Sequence, residues 1–277
     1  MNETELLFTE VLSCSRAELY LEKKKMLSRE NSSRISRTLK RRLSGEPIQY
    51  ILGKTEFMGL EFIVSPSVFI PRPDTEILVE TALRHAANKV TRYKATCLSA
   101  GRWFTRLNVL DIGTGSGCIA VSLAKYFSQM HIIATDISQA ALEMAEQNAK
   151  LNAVQDKIDF LNCDLFPPYE LRTTSYELII SNPPYIKTNV IKTLEGEVQH
   201  EPREALDGGE DGLDFYRRIF RESPIYLKRG GLLILEIGFD QKEGLEKILA
   251  SAQIFEVKEL IKDYNNINRV LVLKLKG

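Results

Sequence analysis

The chain has 277 residues, 44% hydrophobic and 27% charged, and its 37 Lys and Arg balance 37 Asp and Glu. This length allows one or two domains with a sizeable core, and the composition excludes disorder, a collagen-like repeat and a membrane bundle. Zero net charge excludes a generic nucleic-acid coat, whose affinity relies on an excess of cations, but leaves room for a local basic patch.

The first 44 residues read as helices, with apolar side chains three or four apart over 5–12, 17–27 and 34–43. The first ten residues hold Glu3, Glu5 and Glu10 and no basic residue, unlike a secretory signal. Arg34, Arg37, Lys40, Arg41 and Arg42 crowd the third helix with no acid among them. Two readings stand: a solvated helix face, or a contact for a partner. At Ser44-Gly45-Glu46-Pro47 the pattern changes, and residues 50–64, β-rich and broken by Gly53 and Met58-Gly59, predict a hairpin. In Phe69-Ile70-Pro71-Arg72-Pro73-Asp74-Thr75-Glu76 two prolines hold the chain extended before a helix with Ile77, Leu78, Ala82 and Leu83 on its apolar stripe. Asp74 or Thr75 can cap that helix, and the domain boundary falls here. Residues 89–106 read as a long surface insertion.

From Leu107, strands at 107–112, 131–137, 157–162, 176–181, 231–237, 255–261 and 269–276 alternate with helices at 119–127, 139–151, 213–227 and 241–252. Near-continuous apolar strands between amphipathic helices predict an α/β sheet covered on both faces, with ligands at the carboxyl ends of the strands beside the switch point. No run approaches the ~18 apolar residues a spanning helix needs. Cys14, Cys97, Cys118 and Cys163 are scattered, as expected for reduced thiols, and His85, His131 and His200 lie far apart, so no metal site is expected.

Three places along these strands carry chemistry. Val109-Leu110-Asp111-Ile112-Gly113-Thr114-Gly115-Ser116-Gly117 runs a strand into a helix, its glycines allowing a sharp turn and close approach of a ligand to the helix N-terminus. The dinucleotide fingerprint would need a further glycine where Cys118 stands. Asp136, ending the next strand, is suited to accept both hydroxyls of a ribose. Asp111 either holds the loop or meets a cationic group of the ligand. Asp164-Leu165-Phe166 either holds a nucleoside base or is an ordinary strand-end turn. Finally, Ser181-Asn182-Pro183-Pro184-Tyr185 is a stiff corner: the Asn182 side-chain oxygen and the Pro183 carbonyl can accept both hydrogens of a substrate –NH2 while Tyr185 packs on its planar group. Held so, the nitrogen lone pair points at an electrophile over the glycine loop.

With these motifs the sequence resembles the S-adenosylmethionine-dependent methyltransferases that act on exocyclic or amide nitrogen. More narrowly, it is similar to the release-factor glutamine N5-methyltransferases, the PrmC/HemK family. The resemblance runs through Glu5-Leu6-Leu7, Arg41-Arg42-Leu43-Ser44-Gly45-Glu46-Pro47-Ile48-Gln49-Tyr50, the Pro71 to Glu76 run, both motifs, Glu201-Pro202 and the Ala205 to Tyr216 segment. It implies a Rossmann-like seven-stranded methyltransferase sheet over 73–277, a helical substrate-docking domain over 1–46 and a β-hairpin and linker over 47–72. It also implies that S-adenosyl-L-methionine is bound by Gly113, Thr114, Gly115, Ser116, Gly117, Asp136, Leu165 and Asn182. Asn182, Pro183, Pro184 and Tyr185 would hold the substrate glutamine, with Asn182, Pro183 and Tyr185 carrying the reaction. The implied partner is a class I peptide-chain release factor with its Gly-Gly-Gln loop, in the cytoplasm, with no membrane and no stable nucleic-acid contact. Arg72, Glu201 and the 207–212 loop either touch substrate or brace the pocket, Arg72 leaning to a site role. The family has a further helix before the Glu5-Leu6-Leu7 segment, and the 89–106 insertion is longer than its pattern. The alternative is an adenine-N6 methyltransferase of RNA or DNA, which shares the corner. It is disfavoured because acids outnumber bases from Ser67 onward, 28 to 26.

Overall fold

The computed structural model describes residues 3–21, 27–99, 106–168 and 175–276, excepting the side chains of 92–99. The N-terminal part is helical: α1 (Glu3–Leu12), α2 (Arg16–Leu21), α3 (Arg29–Leu43) and the short α4 (Ile48–Leu52). Ser28 starts α3, its hydroxyl oxygen accepting from the Asn31 N–H at 3.1 Å. Of the helix expected over 17–27, residues 22–26 lie outside the described residues. Tyr50 to Leu52, expected in the hairpin, instead belong to α4. Pro47 enters it with φ −55°, Gly53 closes it in the left-handed region at φ 74°, and Ile48 and Tyr50 are buried. The hairpin is therefore confined to β1 (Lys54–Phe57) and β2 (Leu60–Ile63). Phe57 and Phe62 are 1% and 0% exposed and meet edge-on at 6.0 Å, each burial being worth about 1.5–3 kcal/mol.

Helix α5 (Pro73–Ser99) absorbs much of the expected insertion. Ala82, Ala86 and Val90 extend one buried stripe at four-residue spacing, so residues 89–99 continue the helix, while 100–105 lie outside the described residues. Then follow β3 (Leu107–Ile112), α6 (Cys118–Tyr126), β4 (Met130–Asp136), α7 (Gln139–Leu151), β5 (Ile158–Asn162), β6 (Tyr176–Ser181), α8 (Thr188–Ile191), α9 (Asp214–Tyr226), β7 (Leu227–Glu236), α10 (Lys242–Ala252), β8 (Phe255–Lys262) and β9 (Asn268–Leu275). The sheet has seven strands in the order β5-β4-β3-β6-β7-β9-β8. The five from β5 to β7 are parallel, and β9 and β8 add antiparallel pairs at one side. The chain winds outward from β3 to β5 and then returns to place β6 on the other side of β3. The switch point therefore lies between β3 and β6.

Alternate residues of the central strands serve opposite faces. Val109, Leu178, Ile180, Leu232 and Ile234 pack with α5, α6 and the hairpin phenylalanines. Leu110, Ile112, Ile179, Leu233 and Leu235 pack with Tyr216, Ile219 and Phe220 of α9 and Leu245 and Leu249 of α10. Two faces covered by helices explain why these strands read as unbroken apolar runs. Tyr50, Val64, Val68 and Ile70 form a third cluster with Ala141 of α7, which lays the linker along that helix. Among the described residues no helix is long and apolar enough to cross a membrane.

Asn148 of α7, unexposed, fastens the hairpin to the sheet. Its Nδ2 donates to the Ile63 and Ser116 carbonyls, both at 2.9 Å, and its Oδ1 accepts from the Ile63 N–H at 2.6 Å. Asn148→Ala leaves these buried groups without partners and should lower the unfolding free energy by about 1–3 kcal/mol in urea denaturation. Unchanged stability would mean the hairpin is held by its phenylalanines alone.

Candidate active site

The loop after β3 takes its shape from three glycines in the left-handed region: Gly113 at φ 69°, Gly115 at 56° and Gly117 at 81°. They serve two purposes. A Cβ on Gly113 or Gly115 would meet nothing within 4 Å, so these two face an open cradle. One on Gly117 would lie 2.9 Å from the Ala145 Cβ, so this glycine lets α6 close on α7. The helix N-terminus offers fewer free donors than the sequence suggests. The N–H groups of Gly113 and Thr114 both donate to the Thr135 carbonyl at 2.9 Å, that of Gly115 to Asp136 Oδ2 at 2.9 Å, and that of Gly117 to the Thr114 carbonyl at 2.8 Å.

Carboxylates, not N–H groups, thus dominate this cradle. Asp136 accepts from Gly115 and, through Oδ1, from the Ser138 N–H at 2.9 Å, which leaves further lone pairs on both oxygens. Burial pushes its carboxyl up, against the pull of the Ser138 and Gly115 N–H groups. Asp111 holds the loop, because the Thr114 hydroxyl donates to its Oδ2 at 2.7 Å. Its Oδ1 is buried with no hydrogen-bond partner, and burial pushes this carboxyl up to about 7.

Around the cradle, Leu165 sits at φ 64° with its carbonyl accepting from the Thr135 hydroxyl at 2.7 Å, which turns the chain back over β4. Asp164 points away into an exposed ion pair with Arg218 at 2.7 Å, so Leu165 and Phe166 are the apolar part of this turn. Ile137, which sequence reasoning passed over, is 66% exposed beside Asp136. The Asn162 amide pins its carbonyl at 2.9 Å and that of Asp136 at 3.0 Å.

The corner from Asn182 to Tyr185 stands one strand away. Ser181 pairs with Ile112 in the ladder, and its hydroxyl donates to the Ile112 carbonyl at 2.8 Å. Asn182 Nδ2 donates to the Thr75 oxygen at 3.1 Å, the Thr75 hydroxyl donates to Glu236 Oε2 at 2.7 Å, and the Tyr185 hydroxyl meets Glu236 Oε1 at 3.3 Å. Burial raises the Tyr185 hydroxyl above its ordinary range, which keeps it protonated. Gly208 and Gly212 let the 207–212 loop lie on the corner's backbone: a Cβ on Gly208 would fall 2.7 Å from the Tyr185 Cα, and one on Gly212 2.5 Å from its carbonyl. Buried Gln241 locks these parts together, donating to the Tyr185 carbonyl at 3.0 Å and the Gly212 carbonyl at 2.8 Å while accepting from the Gly238 N–H at 2.9 Å.

The 207–212 loop is therefore a brace, and so is the Arg72–Glu201 pair. Arg72 donates to Glu201, whose other oxygen accepts from the Ile70 N–H at 3.0 Å, so its guanidinium ties the linker down. The basic cluster of α3 is smaller than it reads. Arg41 pairs with Glu46, and Arg42 pairs with Glu3 at 2.9 Å and with Glu197 at 2.5 Å, leaving Arg34, Arg37 and Lys40 exposed. Glu236, Thr75 and Gln241 escaped sequence reasoning because each lies far along the chain from the corner. The only signal was a carboxylate ending an otherwise apolar strand.

Comparison with known proteins shows the family. The family model for the methyltransferase small domain matches residues 90–266, and that for the PrmC N-terminal domain matches residues 1–53. The release factor glutamine methyltransferase of Geobacter sulfurreducens is 43% identical over 242 residues, covering 87% of this chain and 78% of that protein. That of Thermodesulfovibrio yellowstonii is 38% identical over 275 residues, covering 99% and 92%. Among solved structures, a methyltransferase from Pyrococcus furiosus shares the fold, with a TM-score of 0.54 at 19% identity, covering 89% of this chain and 98% of that one.

Gln241→Glu keeps the size of the clamp but sets a carboxylate against two carbonyls. It should lower the unfolding free energy by about 1–3 kcal/mol for each carbonyl left unpaired, read by urea denaturation. Native stability in this variant would show that the corner is held without the clamp.

Proposed function

The chain belongs to the release factor glutamine methyltransferase family, and from that premise we propose that it methylates the side-chain amide nitrogen, N5, of the glutamine in the Gly-Gly-Gln motif of class I peptide-chain release factors, using S-adenosyl-L-methionine. The observation that carries this reading is the β3–β6 register, which sets the Asn182–Tyr185 corner beside the glycine loop.

The cradle suits this cofactor better than a phosphorylated one. Four of the five N–H groups from Gly113 to Gly117 are already bonded, and two carboxylates line the loop, so a pyrophosphate would find few donors and like charge. A ligand with ribose hydroxyls suits the spare lone pairs of Asp136. Leu165 and the exposed Ile137 would flank its base, and the open faces of Gly113 and Gly115 admit its backbone-hugging part. When bound, S-adenosyl-L-methionine supplies an electrophilic methyl on a sulfonium.

An amide nitrogen is a poor nucleophile because its lone pair is delocalised into the carbonyl. Asn182 Oδ1 and the Pro183 carbonyl accept its two hydrogens, push density back onto nitrogen and stabilise the positive charge that develops there. Tyr185 packs on the amide plane, and the prolines keep these acceptors aimed without reorganisation. The methylated nitrogen is strongly acidic and loses its proton to water, so the corner need not supply a base. Arg34, Arg37 and Lys40 on α3 give the N-terminal helices a cationic face for the protein substrate. A substrate that works in translation puts the enzyme in the cytoplasm.

Incubation with labelled cofactor and purified release factor, rRNA or DNA, followed by mass mapping, should place the label on the release-factor glutamine. Label on nucleic acid alone would sink the reading. Asn182→Ala should lower kcat at saturating cofactor roughly 10²- to 10³-fold, or about 2.7–4 kcal/mol. Asp136→Ala should instead weaken cofactor binding by about 1.5–3 kcal/mol in calorimetry.

A further inference from the structure

The hydrogen bonds behind the corner have a direction, and the direction is set far from Asn182 in sequence. Glu236 ends β7 with its side chain 2% exposed. An ionised carboxylate only accepts. The single hydroxyl hydrogen of Thr75 is therefore spent on Glu236 Oε2 at 2.7 Å, and the Thr75 oxygen is left to accept. Its neighbour at 3.1 Å is the Asn182 amide, and only the NH2 end of that amide can donate. Asn182 is thus held with its nitrogen turned back and its Oδ1 turned forward. The two ends of an asparagine amide are nearly equal in size, so packing alone does not choose between them. Reversed, Asn182 would present donors to a substrate –NH2, which carries only donors on that side.

We infer that Glu236 and Thr75 are positioning residues that set the polarity of the Asn182 amide, and that transfer requires Glu236 ionised. This rests on the proposed transfer to a glutamine amide. The groups facing Glu236 come from several elements. Thr75 and Asp74 lie on α5, Arg269 on β9, Tyr185 in the corner, Cys118 at the start of α6, and Tyr216 of α9 donates to the Glu236 backbone carbonyl at 2.8 Å. Arg269 is itself shared with Asp74 and Asp263, each at 3.0 Å. Burial pushes the Glu236 carboxyl up to about 7, with the Thr75 hydroxyl, Arg269 and Tyr185 drawing it down and Asp74 adding to the rise. As pH falls through that value, Glu236 gains a proton and becomes a donor. The Thr75 hydrogen is then free to point at Asn182, and the reversed amide becomes equally well held.

The test is methylation of purified release factor by the full-length enzyme at saturating cofactor. Saturation matters because protonation of Asp111 would act on cofactor affinity, not on kcat. Thr75→Val should lower kcat about 10-fold with KM and cofactor Kd unchanged, and Thr75→Ser should restore it to within about 3-fold. The wild-type kcat should fall as pH drops through about 7, whereas Glu236→Gln should give a low kcat without that limb. A Thr75→Val enzyme with wild-type kcat, or an acid limb that persists in Glu236→Gln, overturns the inference. The second measurement stands even where Thr75→Val fails to fold. Wild-type enzyme that leaves the release factor unmethylated overturns the parent reading instead.

Discussion

Ile112 faces Ser181 across β3 and β6, and the chemistry of the molecule hangs on that one register. Ile112 is the last residue before the glycine loop and Ser181 the last before Asn182, so pairing them brings both motifs to the same edge of the sheet. A slip of one residue would turn Leu178 and Ile180 toward α9 and Ile179 toward α5. Each of these side chains is unexposed, at about 1.5–3 kcal/mol apiece, so the two apolar faces hold the register with far more energy than any single polar contact in the site. The Ser181 hydroxyl bond to Ile112 adds direction more than strength.

On that frame the site is built by satisfying backbone groups inward. The loop's N–H groups close on Thr135, Asp136 and Thr114, and Gln241 closes the corner on the 207–212 loop. One oxygen of Asp111, under the loop, is left buried without a partner. Two carboxyls held near 7 by burial, Asp111 and Glu236, detract from stability and sit at the two functional motifs, as expected where a site is kept at the fold's expense. One faces the cradle's loop and the other stands behind the corner.

The helical N-terminal part is joined to the sheet domain by contacts of unequal weight. A largely exposed pair such as Arg42 with Glu197 is worth about 0–1 kcal/mol and uses up a cation that could otherwise meet a partner. Burial does more. The Tyr50 hydroxyl donates to the Val68 carbonyl at 2.6 Å inside the cluster that lies on α7, and Glu201 receives the Ile70 N–H. The five-charge cluster of α3 thus resolves into two cations held in ion pairs, Arg41 and Arg42, and the exposed Arg34, Arg37 and Lys40.

Strand order aside, most of the fold was legible. Near-continuous apolar runs mark the strands and a period of three to four residues marks the long helices, because these patterns follow from local geometry and burial. The α4 turn and the continuation of α5 were missed, since a five-residue helix shows no period and the burial of Val90 in line with Ala82 and Ala86 shows only in the folded chain. Gly113 to Gly117, Asp136 and Asn182 to Tyr185 could be read as a candidate site because a glycine loop and an Asn-Pro-Pro-Tyr corner have chemistry written in consecutive residues. Gly117 packing on Ala145, Arg72 bound to Glu201, and the file from Glu236 through Thr75 to Asn182 could not, because each joins residues 28 to 161 positions apart. The sequence by itself determined which groups can bind and react; only the tertiary structure decided which way the Asn182 amide points. That direction is set by a carboxylate from another strand, which only accepts while it is ionised.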